Sequence, residues 1–212
     1  MHRYDKAVKN SLPQLLMPAG ASPEERANIT YIRTAVQLKE AAMQSMGKGV
    51  QIVTQFNHPQ ELDSDVAKAV QELLLQGYRL HNRAVLMHGI NDDVQVLVQL
   101  MNRLAELGFC GSSLFQCHPN EGDAGYSLPL PHSARIVRQT KDTLTGMEKR
   151  FPFLINHHSG IVAVVGTVAR PVMLFRYFLE QKESDRNRLF VLNIDDAQCW
   201  LPDAIPATFD NR

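Results

Sequence analysis

VQIVTQFNHP (50–59), HNRAVLMHGINDD (81–93) and SSLFQC (112–117) decide the fold of this chain. Each pairs an apolar run with a polar motif, and helical sequence lies between them. Val50 to Phe56 predicts a strand with β-branched Ile52 and Val53, ended by Pro59. Asp63 or Ser64 can cap a helix whose apolar residues Val66, Val70, Leu73 and Leu74 fall on one face, and Gly77 is a natural stop. Ala84 to Met87 is a short continuous apolar run, as in a strand buried on both faces. Asn91, Asp92 and Asp93 then supply a cap for a second helix, with stripe Leu97, Leu100, Met101 and Leu104 and a stop at Gly108. Ser113 to Gln116 is the next strand.

Outward from this centre the pattern weakens. CHPNEGDAGYSLPLPHS (117–133) reads as a long loop, and such loops are usually lids or binding segments. Ser133 can cap a helix carrying Ile136, Val137, Thr140 and Leu144. Phe151 to Asn156 and Ile161 to Val165 read as a hairpin around Ser159-Gly160. Residues 172–178 and 189–194 read as two further strands, and the tail after Trp200 as loosely held. On the other side, residues 28–46 carry an imperfect helical stripe (Ile32, Val36, Leu38, Ala42, Met43), and residues 1–25 read as loop. Alternating strands and helices predict an α/β fold with parallel units and right-handed crossovers. The divisions follow: an N-terminal segment with one helix (1–48), a parallel α/β unit (49–165), and a β-rich extension with tail (166–212). No G-x-G-x-x-G follows a strand, which disfavours a dinucleotide fold.

Composition narrows the classes. The 212 residues hold 22 basic and 22 acidic side chains, so net charge makes no case for nucleic acid or an anionic membrane. Three cysteines, Cys110, Cys117 and Cys199, contain no C-x-x-C pair and no disulfide framework. That suits a reducing cytoplasm. MHRYDKAVKNSLPQLL is unlike a signal peptide, and no run of about 18 apolar residues predicts a membrane span.

Several polar positions are candidates for chemistry. Asn57 and His58 follow the first strand and could face a ligand or satisfy turn backbone. Arg83 offers a fork of donors suited to carboxylate or phosphate. Asn91-Asp92 is most simply a helix cap. Cys117-His118 could be nucleophile and base or metal ligands, but neighbours on a strand point to opposite faces. His157-His158, at the hairpin tip, could contribute to a metal site or be a solvated turn. The eight methionines read as core filler.

Together, F-N-H-P-x-E (56–61), N-R-A-V-L-x-x-G-I-N-D (82–92) and L-F-Q-C (114–117) resemble the lysine 2,3-aminomutase family of radical SAM enzymes. Residues 151–160 resemble that family's next strand, and the resemblance covers about residues 50–165. It implies a partial (β/α) barrel, the second half of a TIM-like radical SAM barrel. It also implies S-adenosylmethionine (SAM) at the strand ends, a [4Fe–4S] cluster and pyridoxal phosphate. By correspondence Gln55, Asn57, His58, Arg83 and Gln116 would line the SAM site, and His118 and Asn156 the substrate pocket.

The departures are equally specific. No C-x-x-x-C-x-x-C is present, so a cluster is not expected on this chain. Gln55 stands where the family has a SAM-contacting histidine, Arg83 where it has a glutamine, and His118 and Asn156 where it has aspartates. The pyridoxal lysine would fall near Val162–Ala163, yet no lysine lies between Lys149 and Lys182, so pyridoxal phosphate is not expected. The expected function is the C-terminal portion of a divergent radical SAM isomerase-like protein whose substrate is not lysine by the pyridoxal route. The alternative is a non-catalytic relic or binding module that kept the scaffold. No catalytic residue or metal ligand set is assigned. A separate chain carrying the first half of the barrel, or a second copy, is the expected partner.

Overall fold

The computed structural model describes residues 31–32, 51–119 and 124–205. Within them one sheet runs in sequence order: β1 (Tyr31–Ile32), β2 (Gln51–Thr54), β3 (Arg79–Leu86), β4 (Gly111–Gln116), β5 (Phe153–His157), β6 (Gly160–Ala169), β7 (Val172–Glu180) and β8 (Leu189–Asn193). β1 to β5 are mutually parallel. β5 to β8 are joined antiparallel. The fold is α/β with a mixed sheet.

Among the described residues, three helices cross over between the parallel strands: α1 (Ser64–Leu75), α2 (Val94–Glu106) and α3 (Leu130–Thr143). Asp63 caps α1 by accepting from the amides of Asp65 and Val66, and Asp93 caps α2 through Gln95 and Val96. Their stripes, Val66, Ala69, Val70 and Leu73 on α1 and Leu97, Val98, Leu100, Met101 and Leu104 on α2, bury against Ile52, Leu80, Ala84, Leu86, Leu114 and Phe153. Period-2 alternation sends the other residues to the opposite face, where Val85, Met87, Phe115, Cys117 and Leu154 meet Ile161 and Ala163.

The antiparallel strands have their own core. Ile155, Val162, Met173, Phe175, Tyr177 and Phe190 pack with Ile194 and Leu201. Phe175 and Phe190 stack with centroids 5.5 Å apart.

Four expectations need correction. β3 starts at Arg79 rather than Ala84, because alternating His81 and Arg83 extend the strand below its apolar run. α3 starts at Leu130, with Pro129 at its N-cap and Ser133 buried inside the helix, since proline's fixed φ suits the first turn. Tyr31–Ile32, read as helix, is a strand paired with β2; the rest of 28–46 lies outside the described residues. The segment after Trp200 is not loose at its start. Leu201 is buried in the cluster with Phe175 and Phe190, just after a stretch held by the Leu130 amide donating to the Gln198 carbonyl and the Gln116 amide to the Cys199 carbonyl.

Candidate functional site

At the C-terminal end of β2 the chain leaves β3, and the backbone groups freed there need partners. Asparagines provide them. Asn82 Oδ1 accepts from the Phe56 amide (2.8 Å) and the Thr54 hydroxyl (2.7 Å), while its Nδ2 donates to the Phe56 carbonyl (2.9 Å). Asn57 Oδ1 accepts from the Val85 amide (2.7 Å). Asn91 Oδ1 accepts from Met87, and its Nδ2 donates to the carbonyls of Asn57 and Val85. All three asparagines are buried. Asn91 is thus a tie between loops, and Asp93 alone is the N-cap of α2.

His58 caps the short turn Pro59–Glu61. Its Nδ1 accepts from the Gln60 amide, and Glu61 accepts from the amides of Asn57 and His58. Burial lowers the His58 pKa. Asn57 Nδ2 is the exception in this network: it is buried and has no hydrogen-bond partner. Gln55, also buried, lies one residue beyond the last β2–β3 pair, Thr54 with Asn82.

Arg83 sits in mid-strand, half-buried, with its guanidinium 5.9 Å from the centre of the Phe115 ring. His81, two residues earlier, has its pKa lowered by burial, then by Arg83 and Arg79.

At the end of β4 the two polar residues part. Gln116 Nε2 donates to the carbonyls of Leu128 (2.6 Å) and Cys199 (3.2 Å), tying strand, loop and C-terminal segment together; its Oε1 is buried without a partner. His118 meets the Trp200 ring edge-on at 4.4 Å, and its Nδ1 is buried without a partner. Cys117 is buried on the face opposite the helices. Asn156 pairs with Ile161 across the β5–β6 hairpin. The next residue, His157, has its pKa lowered by burial first and then by His158; a hydrogen bond to the Pro202 backbone and Asp203 oppose this, and His118 adds a small lowering.

The structure therefore buries Gln55 just past the end of β2, places Arg83 within β3, and sets His118 beside Trp200. It turns His58, and most of Asn57 and Gln116, toward backbone. Asn91 was read from sequence as a helix cap, whereas Asn82 and Trp200 were given no role of their own. Asparagines flanking strand ends were the available signal for Asn82 and for the tie made by Asn91; Trp200 arrives from 82 residues beyond His118, and no local pattern announces it.

No family model matches the chain. Curated relatives do. A protein of Aquifex aeolicus named for L-lysine 2,3-aminomutase is 28% identical over 157 residues, 74% of this chain and 42% of that protein. The L-lysine 2,3-aminomutase of Haemophilus influenzae is 42% identical over 94 residues, 44% of this chain and 28% of the relative. The chain is similar to lysine 2,3-aminomutase-like proteins. It spans less than half the length of these relatives. Among solved structures, a radical SAM methyltransferase from Sphaerobacter thermophilus aligns with TM-score 0.42 and 16% identity, over 60% of this chain and 39% of that one. Among the described residues of this lysine 2,3-aminomutase-like chain, no helix is long and apolar enough to cross a membrane.

The donor set does not fit an iron–sulfur cluster. Cys110 and Cys117 flank the six-residue β4 at opposite ends, about 23 Å apart along an extended chain at ~3.3 Å per residue. A pyridoxal lysine does not fit either, because Val162 and Ala163 are buried on β6, and Lys141 is on α3 with its ammonium over the Phe151 ring.

Proposed function

We propose that this chain is the C-terminal portion of a divergent radical SAM protein. In this reading β2 to β5 are the second half of a (β/α) barrel, and their C-terminal ends hold the adenosyl part of SAM. The observation that carries it is the presence of two buried, unpartnered nitrogens, Asn57 Nδ2 and His118 Nδ1, at the C-terminal ends of β2 and β4. Buried polar atoms in a well-packed protein are normally satisfied, so atoms left over at strand ends suit a ligand. The apolar face with Val85, Met87 and Phe115 offers a surface for a base, and Arg83 a cation for a carboxylate. SAM supplies radical chemistry only beside a reduced cluster, whose thiolates would come from outside these 212 residues. His118 and Asn156 in place of carboxylates suit a substrate other than lysine.

The second reading, a binding module without chemistry, is favoured by the share of the motif spent on scaffold: Asn57 Oδ1, His58 Nδ1, Asn82, Asn91 and Gln116 Nε2 all hold backbone. Equilibrium dialysis with S-adenosylhomocysteine separates the two. The SAM reading expects saturable binding that Arg83→Gln and His118→Gln each weaken at least tenfold. Absence of saturable binding to the folded chain leaves only the binding module.

A further inference from the structure

We propose that His157, His158 and Asp203 form a site for a divalent transition ion, of which zinc is the best match. The three side chains come from the β5–β6 hairpin and from the C-terminal segment, and their ligand atoms all lie within 4.8 Å of one another. His157 is buried, while His158 and Asp203 are exposed.

Two details of geometry fit a metal better than a chance cluster. The first is spacing. His157 Nδ1 and His158 Nδ1 are 3.3 Å apart. Two nitrogens bound to zinc at about 2.0–2.1 Å with a tetrahedral angle stand roughly 3.4 Å apart. The rings, crossed at 81° with centroids 4.1 Å apart, allow both nitrogens to address one point. The second is the support behind the buried ring. The His157 ring hydrogen-bonds to the Pro202 backbone. With Nδ1 turned to His158 and Ser159, Nε2 is the nitrogen left to donate to that carbonyl. A metal-binding histidine commonly has this arrangement, its second nitrogen fixed by a carbonyl and its first left with a lone pair.

In the absence of an ion that lone pair is used by Ser159, whose hydroxyl is 2.7 Å and amide 3.3 Å from Nδ1. An ion would take it over, and the Ser159 hydroxyl keeps a partner in the Tyr177 hydroxyl at 2.9 Å. Two histidines and one carboxylate make a three-ligand set with an open position, the composition of an exchangeable site rather than a closed structural one. A cavity of about 490 Å³ lies alongside, lined in part by His158, Asp203, Tyr177, Lys182 and Arg188. A water or a small anion drawn by these cations would complete the coordination. Binding would also clip the C-terminal segment to the hairpin, because Asp203 is brought by that segment.

The test is titration of the full chain with zinc, followed by cobalt(II) absorption spectroscopy. One zinc per chain is expected, with a raised Tm. His158→Gln and Asp203→Asn, both at exposed positions, should each weaken binding at least tenfold, and His88→Gln should leave it unchanged, although His88 also faces a carboxylate, that of Asp92 at 2.7 Å. Cobalt should give tetrahedral nitrogen–oxygen bands without thiolate charge transfer. No binding, binding unaffected by the two substitutions, or a thiolate band from Cys110 or Cys199 would overturn the assignment.

Discussion

The parallel and antiparallel parts of this sheet close their strand ends by different means. In β1 to β5, the strands peel apart where the crossovers begin, and buried amides of Asn57, Asn82 and Asn91 bond the exposed backbone. In β6 to β8, hairpins carry the ladder from strand to strand, with register shifts along β6, and rings fill the space: Phe175 on Phe190, Tyr177 tilted against Phe190, and Arg188 over Tyr177 and Phe190. Polar motif residues at parallel strand ends are therefore not ligands by default. Much of their chemistry is already spent on the fold.

The most damaging way to break the comparison is to remove a ring. Phe175→Ala should cost about 3–5 kcal/mol, because it deletes a fully buried aromatic and leaves a cavity beside Phe190. Urea denaturation measures it, and hydrogen exchange should show β7 and β8 losing protection first. Equal loss in β3 and β7 would mean that the two parts share one core.

Asn82→Ala is the parallel counterpart. It removes three bonds at once and strands the amide and carbonyl of Phe56 in a buried place, while the Thr54 hydroxyl keeps the His81 carbonyl at 3.3 Å. A cost of about 3 kcal/mol is expected. Asn82→Asp should not rescue it, because a carboxylate cannot donate to the Phe56 carbonyl. Recovery of stability by aspartate would show that the donated bond is immaterial.

What was legible in the sequence divides along the same line. The parallel order, α1 and α2 and their stripes followed from local periodicity, since each crossover buries one helical face against one sheet. The start of β3 was hidden because His81 and Arg83 occupy alternate positions that look polar when read singly. The role of Asn82 was hidden for a different reason: it works on Thr54 and Phe56, 26 to 28 residues away, so its role depends on register rather than on its neighbours. The placement of Trp200 on His118 likewise needed the return of the C-terminal segment across β4.

Two glycines sharpen the contrast with a smaller effect. Gly77 ends α1 at φ 85°, and an added Cβ there meets nothing within 4 Å. Gly160 begins β6 at φ 137°, where a Cβ would run into the Leu179 carbonyl of β7. Gly77→Ala should cost about 1 kcal/mol of backbone strain. Gly160→Ala should cost roughly 2–3 kcal/mol, because overpacking against backbone adds to strain. Similar costs would show that the hairpin yields as readily as a helix end.

The smallest expected effect is the response to acid, and it too should be lopsided. Residues 161–205 contain no histidine, whereas His58, His81 and His157 all lie in the parallel part. Each has its pKa lowered, by burial first, and for His81 the guanidiniums of Arg83 and Arg79 add to it. A base with a depressed folded-state pKa stays neutral in the fold while the unfolded chain takes up a proton near pH 6.5. The unfolded state then binds more protons, so stability is full above about pH 6.5 and declines as the pH falls toward the folded-state value. Hydrogen exchange at pH 7.5 and 5.5 should therefore show β3 amides losing protection relative to β7 amides. His81→Gln removes one titrating group from between two arginines and should flatten part of that decline. If β7 lost as much protection as β3, the acid response would belong to carboxylates shared across the sheet, and the histidines of the parallel part would not be its source.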